Sequence, residues 1–290
     1  MEGSFELTDG RILSFETAGP DSGPPVVVHH GTPGSRMLGQ ELKDLAEQLG
    51  VRMIGFDRAG YGGSSRKKGR VIADVAADVG DLADHLGLER IATWGISGGG
   101  PHALATAALL GDRVAGVATF GSVAPLGASG LDFLGGMGEA NIAEFGLAMD
   151  DPDGLGDFLG AARPAMIGSD PAAFVNELSS LLCPADLEML NGPFVETMLA
   201  QTRWGLVGSH WGWFDDDLAF VKEWGFDLTR ITSPVRLYMG VDDAFVPVGH
   251  GRWLASAVPG AEYVEAEGEG HLSMYAKHLV SAHRYLLSCF

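Results

Sequence analysis

Cysteine is nearly absent from this chain. Two stand in 290 residues, Cys183 and Cys289, far apart and without metal-ligand spacing. A disulfide framework is excluded on that count, and both thiols read as reduced or incidental. Positive charge is also scarce: 19 Lys and Arg stand against 38 Asp and Glu, a formal charge of −19. Such a surface repels phosphate backbones and anionic lipid, so neither nucleic acid nor a membrane is an expected partner. No window reaches 18 apolar residues, so no transmembrane helix is expected. Met1-Glu2-Gly3-Ser4-Phe5 opens acidic, with no basic start, and the expectation is a cytoplasmic protein without a signal peptide. There is no His-Glu-x-x-His, no Cys-x-x-Cys pair and no EF-hand loop, so no metal and no cofactor is expected. A small-molecule substrate is the expected partner, with a homodimer left open.

What is present is alternation. Residues 5–17 alternate around the turn dipeptide Asp9-Gly10 and predict a β-hairpin. Residues 25–30 are a short β-branched run ending in Gly-Thr-Pro-Gly, which predicts a buried strand. A helix over 41–49 and a buried strand over 51–56 follow. Val71, Ile72, Val75, Val79, Leu82 and Leu86 share one helical face, and Asp74, Asp78, Asp81 and Asp84 share the other, predicting an amphipathic helix. A strand at 91–96, a helix at 99–110 and a strand at 114–120 continue the pattern of a parallel α/β sheet. The alternation then stops. From 125 to 228 the chain is rich in Gly, Ala, Met and Trp, with helix-like pieces only. It resumes after Pro234 with a strand at 235–239, a helix at 249–257, a strand at 261–265 and a closing helix at 272–287. The expected organisation is one α/β domain, residues 1–124 and 229–290, interrupted by a helical insertion at 125–228.

One turn in that pattern carries chemistry. Gly95-Ile96-Ser97-Gly98-Gly99 fits G-x-S-x-G and lies between a predicted strand and a predicted helix. A serine on such a turn is held in a strained conformation with its hydroxyl exposed above the sheet. The helix start behind it offers unpaired N–H groups and partial positive charge, which suits a developing oxyanion. A phosphate loop fits less well. Pro101-His102 stands where a Walker loop needs Lys, and the dinucleotide pattern G-x-G-x-x-G fails. From the pentapeptide alone, a nucleophile and a purely structural Gly turn both remain open. A serine hydroxyl needs a base to take its proton and an acid to orient that base. Downstream, the strand at 235–239 ends in Gly240-Val241-Asp242-Asp243, and the last strand runs into Gly268-Glu269-Gly270-His271. An acid and a histidine just past strand carboxyl ends lie on the same rim as the serine turn.

Residues 25–34, 56–65, the Ser97 turn, 240–247 and 268–273 together resemble the α/β-hydrolase superfamily. The resemblance covers the chain except the insertion. It implies an α/β-hydrolase fold, a mostly parallel central sheet flanked by helices, with a helical cap inserted after the sixth strand. It also implies Ser97 as nucleophile, His271 as general base and acid, and Asp243 as the orienting acid. Asp243 is chosen over Asp242 because the family pattern is similar to G-x-x-D-x-x-V-P counted from Gly240. His30-Gly31-Thr32-Pro33-Gly34 resembles the family's oxyanion loop, so the N–H groups of Thr32 and Gly98 would hold the oxyanion. Members of the family that are dehalogenases and epoxide hydrolases use Asp as nucleophile, which Ser97 argues against.

Other residues receive plainer expectations. His29 is expected to pack, His30 to brace the oxyanion loop, and His102 either to line the site or, preferably, to pack behind the turn. Asp57, Arg58 and Ser64 read as turn geometry. Arg66-Lys67-Lys68-Gly69-Arg70 reads as a solvated basic loop and Asp215-Asp216-Asp217 as solvated surface. Trp204, Trp211, Trp213, Phe214 and Trp224 lie close in sequence with His210 among them. Such a cluster fills a small core or lines an apolar pocket. At least one of Trp204, Trp211 and Trp213 is expected to face the site, which makes His30, His102, Trp204, His210, Trp211 and Trp213 the pocket candidates.

The expected function is a serine hydrolase of small to medium carboxylic esters or lactones, acting through an acyl-enzyme. Three other reactions on the same triad stand as alternatives: a proline-type aminopeptidase, a carbon–carbon bond hydrolase and a cofactor-free haloperoxidase. The aminopeptidase would need carboxylates such as Glu177, Glu188 or Glu196 to hold an ammonium. A non-catalytic binding protein or receptor on this fold is the alternative from another class.

Overall fold

The computed structural model describes residues 1–190 and 192–290. The first half of the chain supplies β1 (Glu2–Glu6), β2 (Ile12–Ala18), β3 (Pro25–His29), α1 (Gln40–Leu49), β4 (Arg52–Phe56), α2 (Val75–His85), β5 (Ile91–Ile96), α3 (Gly99–Leu110) and β6 (Val114–Phe120). Six helices follow without an intervening strand among the described residues: α4 (Glu139–Asp150), α5 (Pro152–Gly168), α6 (Pro171–Glu177), α7 (Pro184–Met189), α8 (Pro193–Gly205) and α9 (Trp211–Phe220). The chain then closes with β7 (Val235–Gly240), α10 (Val248–Ala257), β8 (Glu262–Ala266) and α11 (His271–Leu287).

All the strands join one sheet in the order β1-β2-β4-β3-β5-β6-β7-β8. The hairpin β1–β2 turns where Gly10 adopts a φ of 82°, and β2 runs antiparallel to β4. Every other neighbouring pair is parallel. The middle strands are apolar along their length, because a parallel sheet is covered on both faces. One cover packs Leu42 and Leu45 of α1 with Met274, Leu279 and Leu286 of α11; the other packs Val79 and Leu82 of α2 with Leu104 of α3 and Leu254 of α10.

Proline and aspartate start several of the helices between β6 and β7. Pro152, Pro171, Pro184 and Pro193 each open a helix, where a missing N–H costs nothing. Asp151 and Asp170 cap two of them by accepting from Gly154 N–H and Ala173 N–H. This segment has a small core of its own, with Leu155, Leu159, Leu206 and Trp213 packed against Tyr61.

On α2, Asp78 departs from the amphipathic pattern. It is buried, because Arg11, just before β2, brings both terminal guanidinium nitrogens to its carboxylate at 2.5 and 3.2 Å. No described helix is long and apolar enough to cross a membrane. The parallel strands all end on one edge of the sheet, and the turns after β3, β5, β7 and β8 meet there.

Candidate active site

Ser97 sits on the tight turn from β5 into α3, with a φ of 54°. It has positive φ without being glycine, and a bulky neighbourhood would not tolerate that turn. Gly95 and Gly98 make the room. A Cβ on Gly95 would lie 2.2 Å from Gly99 O, and one on Gly98 would lie 2.4 Å from Thr32 Oγ1. The turn is pinned by Ser97 N–H to Phe120 O at 2.7 Å.

His271 opens α11, just beyond β8, and Asp243 follows β7. His271 Nδ1 donates to Asp243 Oδ2 at 2.6 Å. Asp243 Oδ1 accepts from Phe245 N–H and Val246 N–H, both at 2.8 Å, so the carboxylate cannot swing. The Phe245 ring stacks on the imidazole with centroids 4.8 Å apart. Burial works against a charged imidazole here. The Asp243 carboxylate, by charge and by hydrogen bond, and Asp186 in the same direction outweigh it and hold the His271 pKa above the ordinary histidine value. Ser97 and His271 open on the same cavity. No hydrogen bond joins Ser97 Oγ to His271 Nε2 in this arrangement, and such contacts commonly tighten only with substrate.

The loop of residues 30–34 follows β3. Among the described residues, neither Thr32 N–H nor Gly98 N–H donates to an acceptor in the protein. Buried or half-buried N–H groups left free beside a nucleophile are suited to an incoming negative charge. The loop itself is braced from behind. His30 Nδ1 donates to Gly31 O at 2.7 Å, and His30 Nε2 accepts from Arg58 N–H at 3.3 Å. Burial, with Arg58 nearby, pushes the His30 pKa well below the ordinary value, so the ring is neutral as both bonds require.

Arg58 is the centre of a buried network that the sequence did not reveal. Its guanidinium donates to His30 O, Gly31 O and Thr32 Oγ1, and pairs with Asp216 at 2.6 Å. Asp216, on α9, also accepts from Thr32 Oγ1–H and Tyr61 OH, each at 2.8 Å. Arg70 Nη1 lies 2.7 Å from Asp216 Oδ1, close enough for an ion pair but not aligned for a hydrogen bond. Burial alone would raise the Asp216 pKa; Arg58 and Arg70 outweigh it and hold it well below the usual carboxylate range. Asp215 pairs with Arg66 in two hydrogen bonds of 2.7 and 2.9 Å. All three of Asp215, Asp216 and Asp217 are buried, which overturns the expectation of solvated surface, and Arg66 and Arg70 are not merely a solvated loop. Their partners lie about 150 residues away in sequence, where no local pattern could show them.

The cavity beside Ser97 has a volume of about 510 Å³. The stretch after β3 and the start of α1 contribute Met37, Leu38 and Leu42; α7 and α8 contribute Met189, Phe194 and Met198; the core contributes Trp94 and Tyr275. His30 lines it. The other pocket candidates do not. His102 is buried behind the turn, donating from Nδ1 to Gly98 O at 2.7 Å. Trp204 lies over the Arg36 guanidinium at 4.7 Å, and Trp211 over Arg66 at 4.3 Å. His210 packs at a tilt on Trp211 with ring centroids 4.3 Å apart, and Trp213 is buried with its Nε1 donating to Glu144 at 2.7 Å. The expectation that one of these tryptophans faces the site is therefore corrected. Trp204 stands at the end of α8 against Arg36, and Trp211 and Trp213 stand on α9 against Arg66 and Glu144, whereas the cavity is lined from α8 by residues between Pro193 and Thr202. The spacing of Phe194 and Met198, i and i+4 on one helix face, was the available signal for that wall.

Asp57 and Ser64 hold turn geometry. Asp57 accepts from Arg36 N–H at 2.7 Å and Gly63 N–H at 3.0 Å, and Ser64 Oγ accepts from Ser14 N–H at 2.9 Å. His29 packs edge-on against Phe56. Cys183 and Cys289 are free thiols. Among the described residues, no group of three or more His, Cys, Asp or Glu is placed to hold a metal ion.

Residues 24–277 match the alpha/beta hydrolase fold family. A non-heme haloperoxidase from Rhodococcus erythropolis is 27% identical over 257 residues, 84% of this chain and 82% of that protein. Haloalkane dehalogenase 2 from Mycobacterium tuberculosis is 34% identical over 115 residues, and the match spans only 39% of its length and 39% of this chain. In structure, an esterase from Rhodococcus superposes with a TM-score of 0.69 at 23% identity, covering 99% of this chain and 98% of that one.

Proposed function

The chain belongs to the α/β-hydrolase fold family, and we propose that it is a serine hydrolase of small to medium carboxylic esters or lactones. The observation that carries the proposal is the convergence on one cavity of Ser97, the His271–Asp243 pair and two unpartnered N–H groups. In this scheme His271 Nε2 takes the Ser97 proton as Oγ attacks the substrate carbonyl. The oxyanion forms between Thr32 N–H and Gly98 N–H. His271 then gives the proton to the leaving alcohol as the ester bond breaks, leaving an acyl-enzyme. Water, deprotonated by His271, attacks that acyl group; the acyl C–Oγ bond then breaks, His271 gives its proton to Ser97 Oγ and the carboxylic acid leaves. Asp243 keeps the imidazole in the Nδ1–H tautomer and stabilises the imidazolium. The lining of Met, Leu, Phe and Trp side chains supports an apolar acyl group.

The insertion at 125–228 serves as the cap in this proposal, because α7 and α8 supply one wall of the cavity. Ser97 at the elbow turns the proposal away from dehalogenation. A cofactor-free haloperoxidase on the same triad is the second reading, supported by the similarity that spans 84% of this chain. Of the carboxylates an aminopeptidase could use, Glu188 lines the cavity and Glu177 and Glu196 do not. The proposed substrate is a small molecule, with no nucleic acid or membrane, in the cytoplasm.

A panel of p-nitrophenyl esters, aliphatic lactones, a proline amide and a halogenation assay separates these readings. The ester and lactone reading expects turnover of the first two groups and loss of it in Ser97→Ala. Turnover confined to halogenation or to the proline amide would replace it.

A further inference from the structure

Asp186 is a buried aspartate on α7, and its hydrogen bonds converge on the turn that carries His271. Oδ2 accepts from His271 N–H at 3.2 Å. Oδ1 accepts from Leu272 N–H at 2.9 Å, Ser273 N–H at 2.8 Å and Ser273 Oγ–H at 3.0 Å. These are the first three N–H groups of α11, which a helix cannot satisfy from its own backbone. The residue in the capping position is Gly270, which has no side chain to offer. Its own N–H goes instead to Ser273 Oγ at 2.8 Å. Asp186 therefore does from another element what a capping side chain does locally. Gly270 leaves the space: a Cβ there would lie 2.1 Å from Asp186 Oδ2 and 2.6 Å from Cys183 Sγ.

The same short helix also forms part of the cavity. Glu188 and Met189 line it, within three residues of Asp186 on α7. We propose that Asp186 is a positioning residue for His271, so that one short inserted helix both walls the substrate cavity and fixes the catalytic base. The proposal rests on the reading of Ser97, His271 and Asp243 given above.

Asp186 acts on His271 in two ways. First, three hydrogen bonds to consecutive N–H groups fix the start of α11, and His271 is its first residue. A shift of that turn would move Nε2 relative to Ser97, and misplacement by about 1 Å can cost about 10²-fold in rate. Second, a carboxylate at a helix N-terminus is favourably placed, and its charge favours the imidazolium that forms during reaction. The charged groups acting on His271 are Asp243, from the loop after β7, and Asp186, from α7. The thiol of Cys183 stands beside Gly270 at the start of α7.

The test compares wild type, Asp186→Asn, Asp186→Ala and His271→Ala, each checked for native circular dichroism. The readouts are the pH profiles of kcat and KM on p-nitrophenyl butyrate and the rate constant for reaction with a fluorophosphonate. Asp186→Asn keeps one acceptor oxygen, so it should lower kcat and the fluorophosphonate rate by about tenfold, and Asp186→Ala by up to about 10²-fold. In both, the acid limb should move to lower pH, and KM should change less than kcat. A merely structural cap would leave kcat and the acid limb of folded variants within about twofold of wild type, and that result overturns the proposal. If Asp186→Ala does not fold, Asp186→Asn decides the matter by the same criteria. If His271→Ala reacts with the fluorophosphonate as fast as wild type, the triad reading fails and this proposal fails with it. If His271→Ala is inert while the Asp186 variants match wild type, only the positioning role is lost.

Discussion

Asp243 Oδ2 lies 2.6 Å from His271 Nδ1, while the other oxygen of the same carboxylate is held by two backbone N–H groups. The adjacent Asp242 is exposed, and its backbone N–H goes to Glu269 O at 3.0 Å. Two acids that are neighbours in sequence thus have different work. Asp243→Asn should lower kcat by about 10⁴, because the amide cannot stabilise the imidazolium and favours the wrong tautomer. Asp242→Asn should cost less than about tenfold by the same reasoning, since it touches neither ring nor substrate. Ester kinetics on both variants decide it. Equal losses, or a larger loss at Asp242, would contradict the assignment.

The direction of the His271 shift gives a pH prediction. Only the neutral imidazole can accept the serine proton. Burial opposes protonation, but Asp243 and Asp186 outweigh it and raise the folded-state pKa above the usual value of about 6.5. Activity should therefore be lost as pH falls through a midpoint above about 6.5. The kcat/KM profile between about pH 5 and 9, with chemistry rate-limiting, reports the free enzyme. A flat profile, or a midpoint clearly below 6.5, would remove His271 as the base.

Asp216 joins α9 to Arg58, Arg70 and Thr32 in the loop after β3, and all three charged side chains are buried. Removing one partner leaves uncompensated buried charge, which typically costs about 3–5 kcal/mol. Asp216→Asn should destabilise by that order in urea unfolding, where a solvated aspartate would cost within about 0.5 kcal/mol. A near-neutral result would mean that the network carries little of the fold.

The cavity wall predicts where acyl selectivity resides. Phe194 and Met198 face the cavity, while Trp211 stacks on Arg66 outside it. Phe194→Ala and Met198→Ala should reorder kcat/KM across esters of increasing acyl length, by about 1–3 kcal/mol per methylene. Trp211→Ala should keep the wild-type order. Reordering by Trp211→Ala alone would place the acyl group elsewhere.

Sequence made some of this site legible and hid the rest for a physical reason. Ser97, Asp243 and His271 each sit in a short strand–turn pattern, so their positions on one rim follow from local reading and the parallel sheet. Thr32 and Gly98 came only from the resemblance of residues 30–34 to the family's oxyanion loop. Asp216 was not, because its partners Arg58 and Arg70 lie 158 and 146 residues away, and three consecutive aspartates look solvated without them. Trp204, Trp211 and Trp213 misled because aromatic density marks a core and a pocket equally. Asp186 left no trace, since it recognises backbone N–H groups that carry no sequence signature. The stretch between β6 and β7 was legible as a helical insertion but not as six separate helices, since their apolar faces turn toward each other and toward the rim.

The central claim is that Ser97 is the nucleophile, and covalent labelling tests it most directly. Native wild type and Ser97→Ala are treated with a fluorophosphonate, and intact mass with peptide mapping locates the adduct. The account predicts one phosphonyl group on wild type, on the peptide containing Ser97, and none on the folded Ser97→Ala protein. A wild type that stays unlabelled, or a Ser97→Ala protein labelled as fast as wild type, would contradict it.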